Sequence, residues 1–133
     1  MYVSKKQRAE IKEMFGGRCA YSGTVLQDDW QIDHVKPLER KRNGVARKAG
    51  RDVIENMMPT QRIVNHYKRG LSLESYRKRL MTLHRRLAKL PKKPKAHTSI
   101  RRKEYLLKVA EYFGITPENP FNGDFYFELY NKG

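Results

Sequence analysis

The sequence predicts an α+β fold in which a short-stranded region lies in the first half of the chain and helices flank it. Residues 19–35 alternate and turn without a helical period, which is typical of short strands. Residues 73–90 place apolar side chains at steps of three and four, which is typical of an amphipathic helix. The length of 133 residues, of which 38% are hydrophobic and 32% charged, fits a single domain over 1–133 with a modest core.

The first helix is predicted to run from Ser4 to about Phe15. Ser4 is a suitable N-cap because its hydroxyl can accept a hydrogen bond from a free amide of the first turn. Ile11 and Phe15 contribute to a partial apolar face, and the pair Gly16-Gly17 is predicted to end the helix.

Two strands are predicted next, a turn and short strand over 19–26 and a second strand over 30–35. Successive side chains of a strand point to opposite faces, so Asp33 and His34 start on different sides. They converge on one site only if the end of the strand bends.

A basic loop and a helix are predicted after these strands. Residues 39–51 show no apolar periodicity, so we expect a loop there. Its basic residues are Arg40, Lys41, Arg42, Arg47, Lys48 and Arg51. Thr60 is predicted to cap a helix that ends near Lys68, before Gly70.

The longest helix is predicted over 73–90, with Ser72 as its N-cap and Pro91 as its end. Its apolar stripe favours packing within the molecule, and a homodimer seam is the alternative. A further helix is predicted over 99–113, capped by Gly114, which completes a basic helical extension over about 72–114. A C-terminal strand is predicted over about 121–131 after an Asn-Gly turn signal.

Positive charge dominates the chain, with 29 Lys and Arg against 14 Asp and Glu and a formal net charge of +15. Such a balance argues for a polyanionic partner, and we expect DNA. The window 75–103 holds twelve basic residues and no acidic one, which favours a phosphate-binding surface. Four of its residues are expected to contact DNA: Arg85, Arg86, Lys92 and Lys93.

The single cysteine excludes a disulfide within the chain. No apolar run approaches the roughly 20 residues of a membrane span. The first residues are polar and basic, unlike a secretory signal. We therefore expect a cytoplasmic protein with no membrane partner.

The pair Asp33-His34, followed by Asn56 and Asn65, is the most informative pattern in the chain. A carboxylate holds a hard cation through oxygen, and an imidazole can take a proton from water near neutral pH. Phosphodiester hydrolysis needs an activated water and shielding of negative charge. Each residue alone has an ordinary structural interpretation, but the four in this order on a basic chain favour this chemistry.

The segment from about Gly17 to Gly70 resembles the HNH nuclease motif, a two-stranded hairpin and a helix around one metal ion (the ββα-metal core). The matching pieces are Cys19 to Gly23, Asp33-His34 with Pro37, Asn56 with Pro59, and Asn65 before Lys68. The resemblance implies a metal-dependent HNH endonuclease that nicks or cuts DNA. As a compact chain with an HNH motif and no other evident module, it resembles phage-encoded members of the family. This resemblance implies that the protein is located in the host cytoplasm, and it leaves a phage packaging partner open.

The resemblance also implies roles for single residues. His34 is the expected general base, and Asn56 is expected to hold its ring in orientation. Asp33 and Asn65 are the expected ligands of a single Mg²⁺ or Mn²⁺ ion. His66 is expected to contact phosphate, with a metal-ligand role as the alternative. Further phosphate contacts are expected from Arg40, Lys41, Arg42, Lys68 and Arg69.

The chain departs from the family pattern at the usual zinc site, where many HNH proteins carry four cysteines. Here Cys19 fills the first position, and Ser22, Gln61 and Val64 fill the others. One thiolate with these partners cannot make a closed tetrahedral zinc site. We therefore expect no structural zinc and apolar packing in its place.

Two other classes of protein remain open from the sequence. A non-catalytic basic nucleic-acid-binding protein needs the charge but not Asp33 and His34. A structural accessory protein could instead dimerise through the apolar stripe of 73–90. Incubation with supercoiled plasmid, with and without a divalent ion, separates these classes from a nuclease.

Overall fold

The structure, a computed structural model, describes residues 2–39, 43 and 45–132 and has the mixed α+β composition that the sequence predicts. The helices in these residues are α1 (Lys5–Lys12), α2 (Arg62–Lys68), α3 (Leu73–Met81), α4 (Leu83–Ala88), α5 (His97–Phe113) and α6 (Tyr126–Lys132), and the strands are β1 (Gln31–His34) and β2 (Met57–Thr60). Two short 3₁₀ turns, Ala49–Arg51 and Ile54–Asn56, lie between the strands.

Helix α1 begins at the predicted cap. The Ser4 hydroxyl accepts from the Gln7 amide at 3.1 Å, and the Gln7 side chain accepts from the Ser4 amide at 3.0 Å. This reciprocal pair is a capping box, which satisfies two amides at once. Arg8 extends from the helix, donates to the Trp30 carbonyl and lies 4.0 Å from the centre of the indole ring. These contacts attach α1 to the start of β1.

The two strands pair antiparallel, with Asp33 opposite Met58 and His34 opposite Met57. The predicted strand at 19–26 is wrong, because that segment is a turn whose only bridge joins Arg18 and Val25. The partner of β1 is instead β2, which lies beyond a long loop. Pro59 gives β2 a weak strand signal, since proline cannot donate to a ladder.

The start of helix α2 also differs from the prediction. Thr60 is the last residue of β2, and Gln61 is the N-cap, so the helix begins at Arg62. The helix contacts β1 on one side and α5 on the other. Two strands followed by this helix therefore form one connected unit at the centre of the chain.

The predicted helix over 73–90 is two helices, because the helical conformation is interrupted at Thr82. The Thr82 hydroxyl donates to the Lys78 and Arg79 carbonyls, a back-bond that disfavours helix continuation. Ser72 caps α3 as predicted, accepting from the Ser75 amide at 3.2 Å. The stripe residues Tyr76, Leu80, Leu83 and Leu87 are buried within the molecule. Their burial supports internal packing over the dimer seam.

Helix α5 is the longest helix of the described residues and ends at Gly114, whose φ of 67° provides the predicted left-handed cap. The predicted C-terminal strand is wrong, because Tyr126–Lys132 is helical. Glu128 favours this helix by accepting from the Phe125 amide at 2.9 Å, and its carboxylate also pairs with Arg77 at 2.6 Å. Alternating aromatic residues suggested a strand, but side-chain capping and packing favour one short helix here.

An aromatic core lies between the central unit and the C-terminal helices. Tyr21 packs edge-to-face on Tyr76 and on Phe125, with ring centres 5.6 Å and 5.1 Å apart. Tyr76 and Phe125 are nearly parallel at 5.7 Å. All three rings are buried, so the turn at 19–26 is anchored by its own tyrosine. In the described part of the chain, no helix combines the length and apolar character needed to cross a membrane.

Replacement of Gly23 by alanine is expected to destabilise the protein by about 2–4 kcal/mol, from left-handed backbone strain and overpacking. Its φ is +75°, and a Cβ there would lie 2.7 Å from the Tyr126 ring. Gly16→Ala is the matched control, since Gly16 has a φ of +66° with no atom within 4 Å of the added Cβ. Urea denaturation should show the larger loss for Gly23→Ala, and equal losses would contradict the close contact.

Candidate active site and its basic surroundings

Asp33 lies on the inner face of β1, where it forms a buried ion pair with Lys68 of α2. The Lys68 ammonium is 3.3 Å from one carboxylate oxygen and 3.5 Å from the other. The same carboxylate accepts a hydrogen bond from the Tyr21 hydroxyl. The side chains of Asp33 and Lys68 are only 7% and 1% exposed. The pair therefore joins three segments of the fold away from solvent.

Burial controls the ionisation of this cluster. It raises the pKa of the Asp33 carboxyl, because the charged form loses water, while the Lys68 charge and the Tyr21 hydrogen bond act in the opposite direction. Burial also raises the pKa of the Tyr21 hydroxyl well above its ordinary value, so Tyr21 remains a donor to Asp33.

His34 lies on the opposite side of the β1 end and forms a pair with Asp52. Its Nε2 is 2.9 Å from Asp52 Oδ1, and the two side chains are 25% and 23% exposed. A carboxylate at Nε2 favours the tautomer with the proton on that nitrogen. The Nδ1 lone pair then remains, and no hydrogen-bond partner of Nδ1 is found among the described residues. The arrangement can therefore accept a proton from a bound water.

Asn56 fixes the backbone around His34 and does not contact the ring. Its amide nitrogen donates to the Lys36 and Arg51 carbonyls, and its oxygen accepts from the Lys36 amide, each at 2.8 Å. The Asn56 carbonyl accepts from the Val35 amide at 2.9 Å. Asn56 thereby ties the end of β1 to the segment that carries Asp52, which orients the histidine indirectly.

Asp52 is the functional candidate that the sequence reasoning missed. It is the only acidic residue between positions 40 and 54, in a stretch otherwise rich in lysine and arginine. That isolation is the local signal for Asp52, although a hydrated carboxylate among basic residues does not by itself indicate which side chain it binds. Its contact with His34 depends on the loop returning to β1, which no local pattern predicts.

The residues that the resemblance names as metal ligands are both engaged with other side chains. The Asn65 amide nitrogen donates to Gln31 Oε1 at 2.9 Å, and Asp33 faces Lys68 and Tyr21. In the described residues no group of three or more His, Cys, Asp and Glu side chains could hold an ion. The side-chain oxygen atoms of Asp33 and Asn65 suit a hard cation. The arrangement does not fit an ion at Asp33, because the Lys68 ammonium already compensates the charge of the carboxylate.

The expected phosphate contacts are distributed over several surfaces. Arg69 is exposed at the end of α2, whereas Lys68 is buried and cannot reach a phosphate. His66 is exposed, with its Nδ1 2.6 Å from the Tyr105 hydroxyl of α5. Arg85, Lys92 and Lys93 are exposed, and Arg86 is partly buried. Arg40, Lys41 and Arg42 lie outside the described residues.

Hydrogen bonds hold together the turn at the position of the usual zinc site. The Cys19 sulfur accepts from the Ser22 and Gln61 amides at 3.5 Å and 3.4 Å. The Gln61 side-chain nitrogen donates to the Thr24 hydroxyl at 2.9 Å and to the Val25 carbonyl at 2.7 Å. Val64 is fully buried beside them. Gln61 therefore connects the turn to the start of α2.

We predict that Lys68→Met destabilises the protein increasingly as the pH rises. Without Lys68, the folded-state pKa of Asp33 rises further above its unfolded value, so stability is lost as pH increases from the unfolded pKa towards the folded one. Above that range, the loss relative to wild type should reach about 3–5 kcal/mol, because a buried carboxylate lacks a partner. Urea denaturation at about pH 5 and about pH 8 measures this.

The control for this prediction is the double variant Asp33→Asn with Lys68→Met. It removes both charges, so the difference between its free energy of unfolding and that of the wild type should change much less with pH than the difference for the single variant. If Lys68→Met were equally destabilising at both pH values, the ion pair would not be the source of the loss.

We also predict less than about 0.1 equivalent of zinc per chain after purification, since one cysteine without three further ligands gives no closed site. Elemental analysis of protein prepared without added metal measures it. One equivalent of zinc that survives dialysis would contradict the hydrogen-bonded turn.

Gln61→Ala should lower the free energy of unfolding by about 2–4 kcal/mol through the lost hydrogen bonds.

Comparison with protein-family models, curated proteins and solved structures gives no significant match to this chain. The function is therefore inferred from the geometry and charge of its own side chains.

Proposed function

We propose that this protein is an HNH-type endonuclease that hydrolyses DNA phosphodiester bonds, with His34 as the general base and a requirement for Mg²⁺ or Mn²⁺. The observation that carries the proposal is the His34–Asp52 pair, 2.9 Å apart at the partly exposed end of β1. A general base needs solvent access, a fixed ring and a free nitrogen, and this pair offers all three.

The order of elements supports the same proposal. Two antiparallel strands precede α2, and the histidine lies at the end of the first strand. Asn56 braces the loop between the strands through three side-chain hydrogen bonds. These features support the proposal, because the HNH resemblance implies two strands followed by a helix and a positioning role for Asn56, which acts here on the backbone and not on the ring.

Charge supports DNA as the substrate. The net charge of +15 attracts a polyanion and accelerates its encounter with the protein. Helices α3 to α5 carry much of the basic tract 75–103 on the surface, where Arg101 and Arg102 are exposed. Phosphate contacts of this kind bind DNA without regard to sequence.

A bound divalent ion would supply positive charge to neutralise the reacting phosphate. Because Lys68 compensates Asp33, we assign no ligand and no reaction step to the ion. The residues of the chain contribute proton transfer at His34 Nδ1, fixation of the ring by Asp52, and bracing of the loop by Asn56.

A second candidate function is non-catalytic DNA binding, and the Asp33–Lys68 pair is the observation that favours it. A carboxylate that is 93% buried and paired with lysine stabilises a fold without needing to serve a reaction. This candidate predicts DNA affinity without any turnover.

We predict that the wild-type protein nicks or linearises supercoiled plasmid with Mg²⁺ or Mn²⁺ and does not do so in EDTA.

His34→Ala should reduce the cleavage rate by about 10²- to 10⁴-fold with DNA affinity nearly unchanged, because the imidazole acts on water and not on the DNA backbone. Asp52→Asn should reduce the rate by roughly 10- to 100-fold, since a neutral amide holds the His34 ring less firmly than the Asp52 carboxylate does.

His97→Ala is the matched control, because His97 is exposed at the start of α5 and its side chain forms no hydrogen bond or ion pair with the described residues. It should cleave at the wild-type rate. Wild-type activity in His34→Ala would exclude His34 as the base, and full activity in EDTA would exclude the ion. Tight DNA binding with no cleavage in any condition would favour the second candidate.

A further inference from the structure

An arginine-lined cleft of about 490 Å³ lies where α2, α3, α4 and α5 meet, away from the His34–Asp52 pair. Its basic residues are Arg69, Arg79, Arg86, Arg101 and Arg102. His66 and Tyr105 line one side, and no acidic residue is among the side chains that form it. Five guanidinium groups around one concavity repel each other unless an anion lies between them.

Two of these arginines are held rigidly by the fold. Arg86 donates to the Thr82 hydroxyl at 2.7 Å, to the Tyr67 hydroxyl at 2.8 Å and to the Arg79 carbonyl at 2.6 Å. Arg79 lies with its guanidinium 4.3 Å from the centre of the Tyr67 ring. Preorganised arginines lose little freedom when they bind an oxyanion, so they are suited to phosphate recognition.

Arg79 also retains an unsatisfied donor. Its Nε is enclosed and has no hydrogen-bond partner among the described residues. Most enclosed nitrogen donors in folded proteins are paired, so a small rotation of the Arg79 side chain towards an acceptor in the cleft would satisfy this one. A phosphate oxygen is the acceptor that a guanidinium group binds best.

The remaining cleft arginines are accessible to a large ligand. Arg69, Arg101 and Arg102 are exposed, and the side chains of Arg101 and Arg102 form no hydrogen bond or ion pair with the described residues. Rigid arginines therefore lie within the cleft, and free ones lie at its rim. This arrangement suits an extended chain of phosphates better than a small ion that would be enclosed entirely.

We infer that this arginine cleft is the principal binding site for the phosphate backbone of DNA. Of the four residues that the sequence singled out in the basic tract, Arg86 lines the cleft, and Arg85, Lys92 and Lys93 do not. The choice of DNA as the source of the phosphates rests on the proposed nuclease function. The phosphate specificity itself rests on the five arginines and the unpaired Nε of Arg79.

The test compares two double variants in the His34→Ala background, which we expect to bind DNA without cutting it. Arg101→Ala with Arg102→Ala removes two charges from the cleft rim, and Arg85→Ala with Lys93→Ala removes two exposed charges that do not line the cleft. Fluorescence anisotropy with a labelled 20-base-pair duplex gives the affinity over a range of salt concentrations.

The cleft variant should lower the slope of log affinity against log salt by about 1.8, and weaken binding roughly 60-fold at about 0.1 M salt, the counterion-release values for two phosphates. The control should change the slope by less than about 0.5. NMR of the arginine Nε–H groups should show larger shifts for Arg79 and Arg86 than for Arg85 when the duplex is added. Equal slope changes for the two variants, or equal shifts, would overturn the assignment.

The outcome is separable from that of the proposed function. A cleft that binds DNA in a protein that never cleaves plasmid would support the phosphate site and reject the nuclease. Cleavage that depends on His34, with equal effects of the two double variants on binding, would support the nuclease and reject the cleft.

Discussion

The buried pair of Asp33 and Lys68 is the interaction on which the central unit depends. It joins β1 to α2, and the Tyr21 hydroxyl adds the turn at 19–26 to the same cluster. The Lys68 ammonium also lies 3.4 Å from the His34 carbonyl, so it fixes the backbone of the neighbouring residue. Removal of either charge leaves the other buried without compensation, which is more unfavourable than the loss of the pair itself.

Because successive side chains of a strand point to opposite faces, the buried Asp33 leaves His34 on the partly exposed face of β1. With Asp33 turned inwards to Lys68, the adjacent His34 must point to the other face of β1. There the loop between the strands returns and brings Asp52 within hydrogen-bond distance of the ring. The same Asp-His dipeptide thus supplies a structural anchor and a candidate base, and the two functions need not share a face or a metal ion.

Local chemistry in the sequence predicted the parts of the fold that have local causes. Ser4, Ser72 and Gly114 act at helix ends as predicted, because capping depends on a few neighbouring residues. The pairing of β1 with β2 and the helix at the C-terminus could not be predicted in this way. Each depends on partners distant in the chain, such as the Arg77 that pairs with Glu128.

The candidate site shows the same division between local and distant causes. His34 and Asn56 were identified by their spacing, but the partners of their side chains, Asp52 and the backbone at Arg51, come from a loop without a periodic pattern. The arginine cleft brings together arginines that are up to 33 positions apart, from Arg69 to Arg102, so it could not be recognised within the continuous basic tract of the sequence. Composition predicted a phosphate-binding protein, and packing of four helices determines which arginines face one another. The His34–Asp52 pair and the residues that line the cleft have no member in common, so substitutions can address each of them separately.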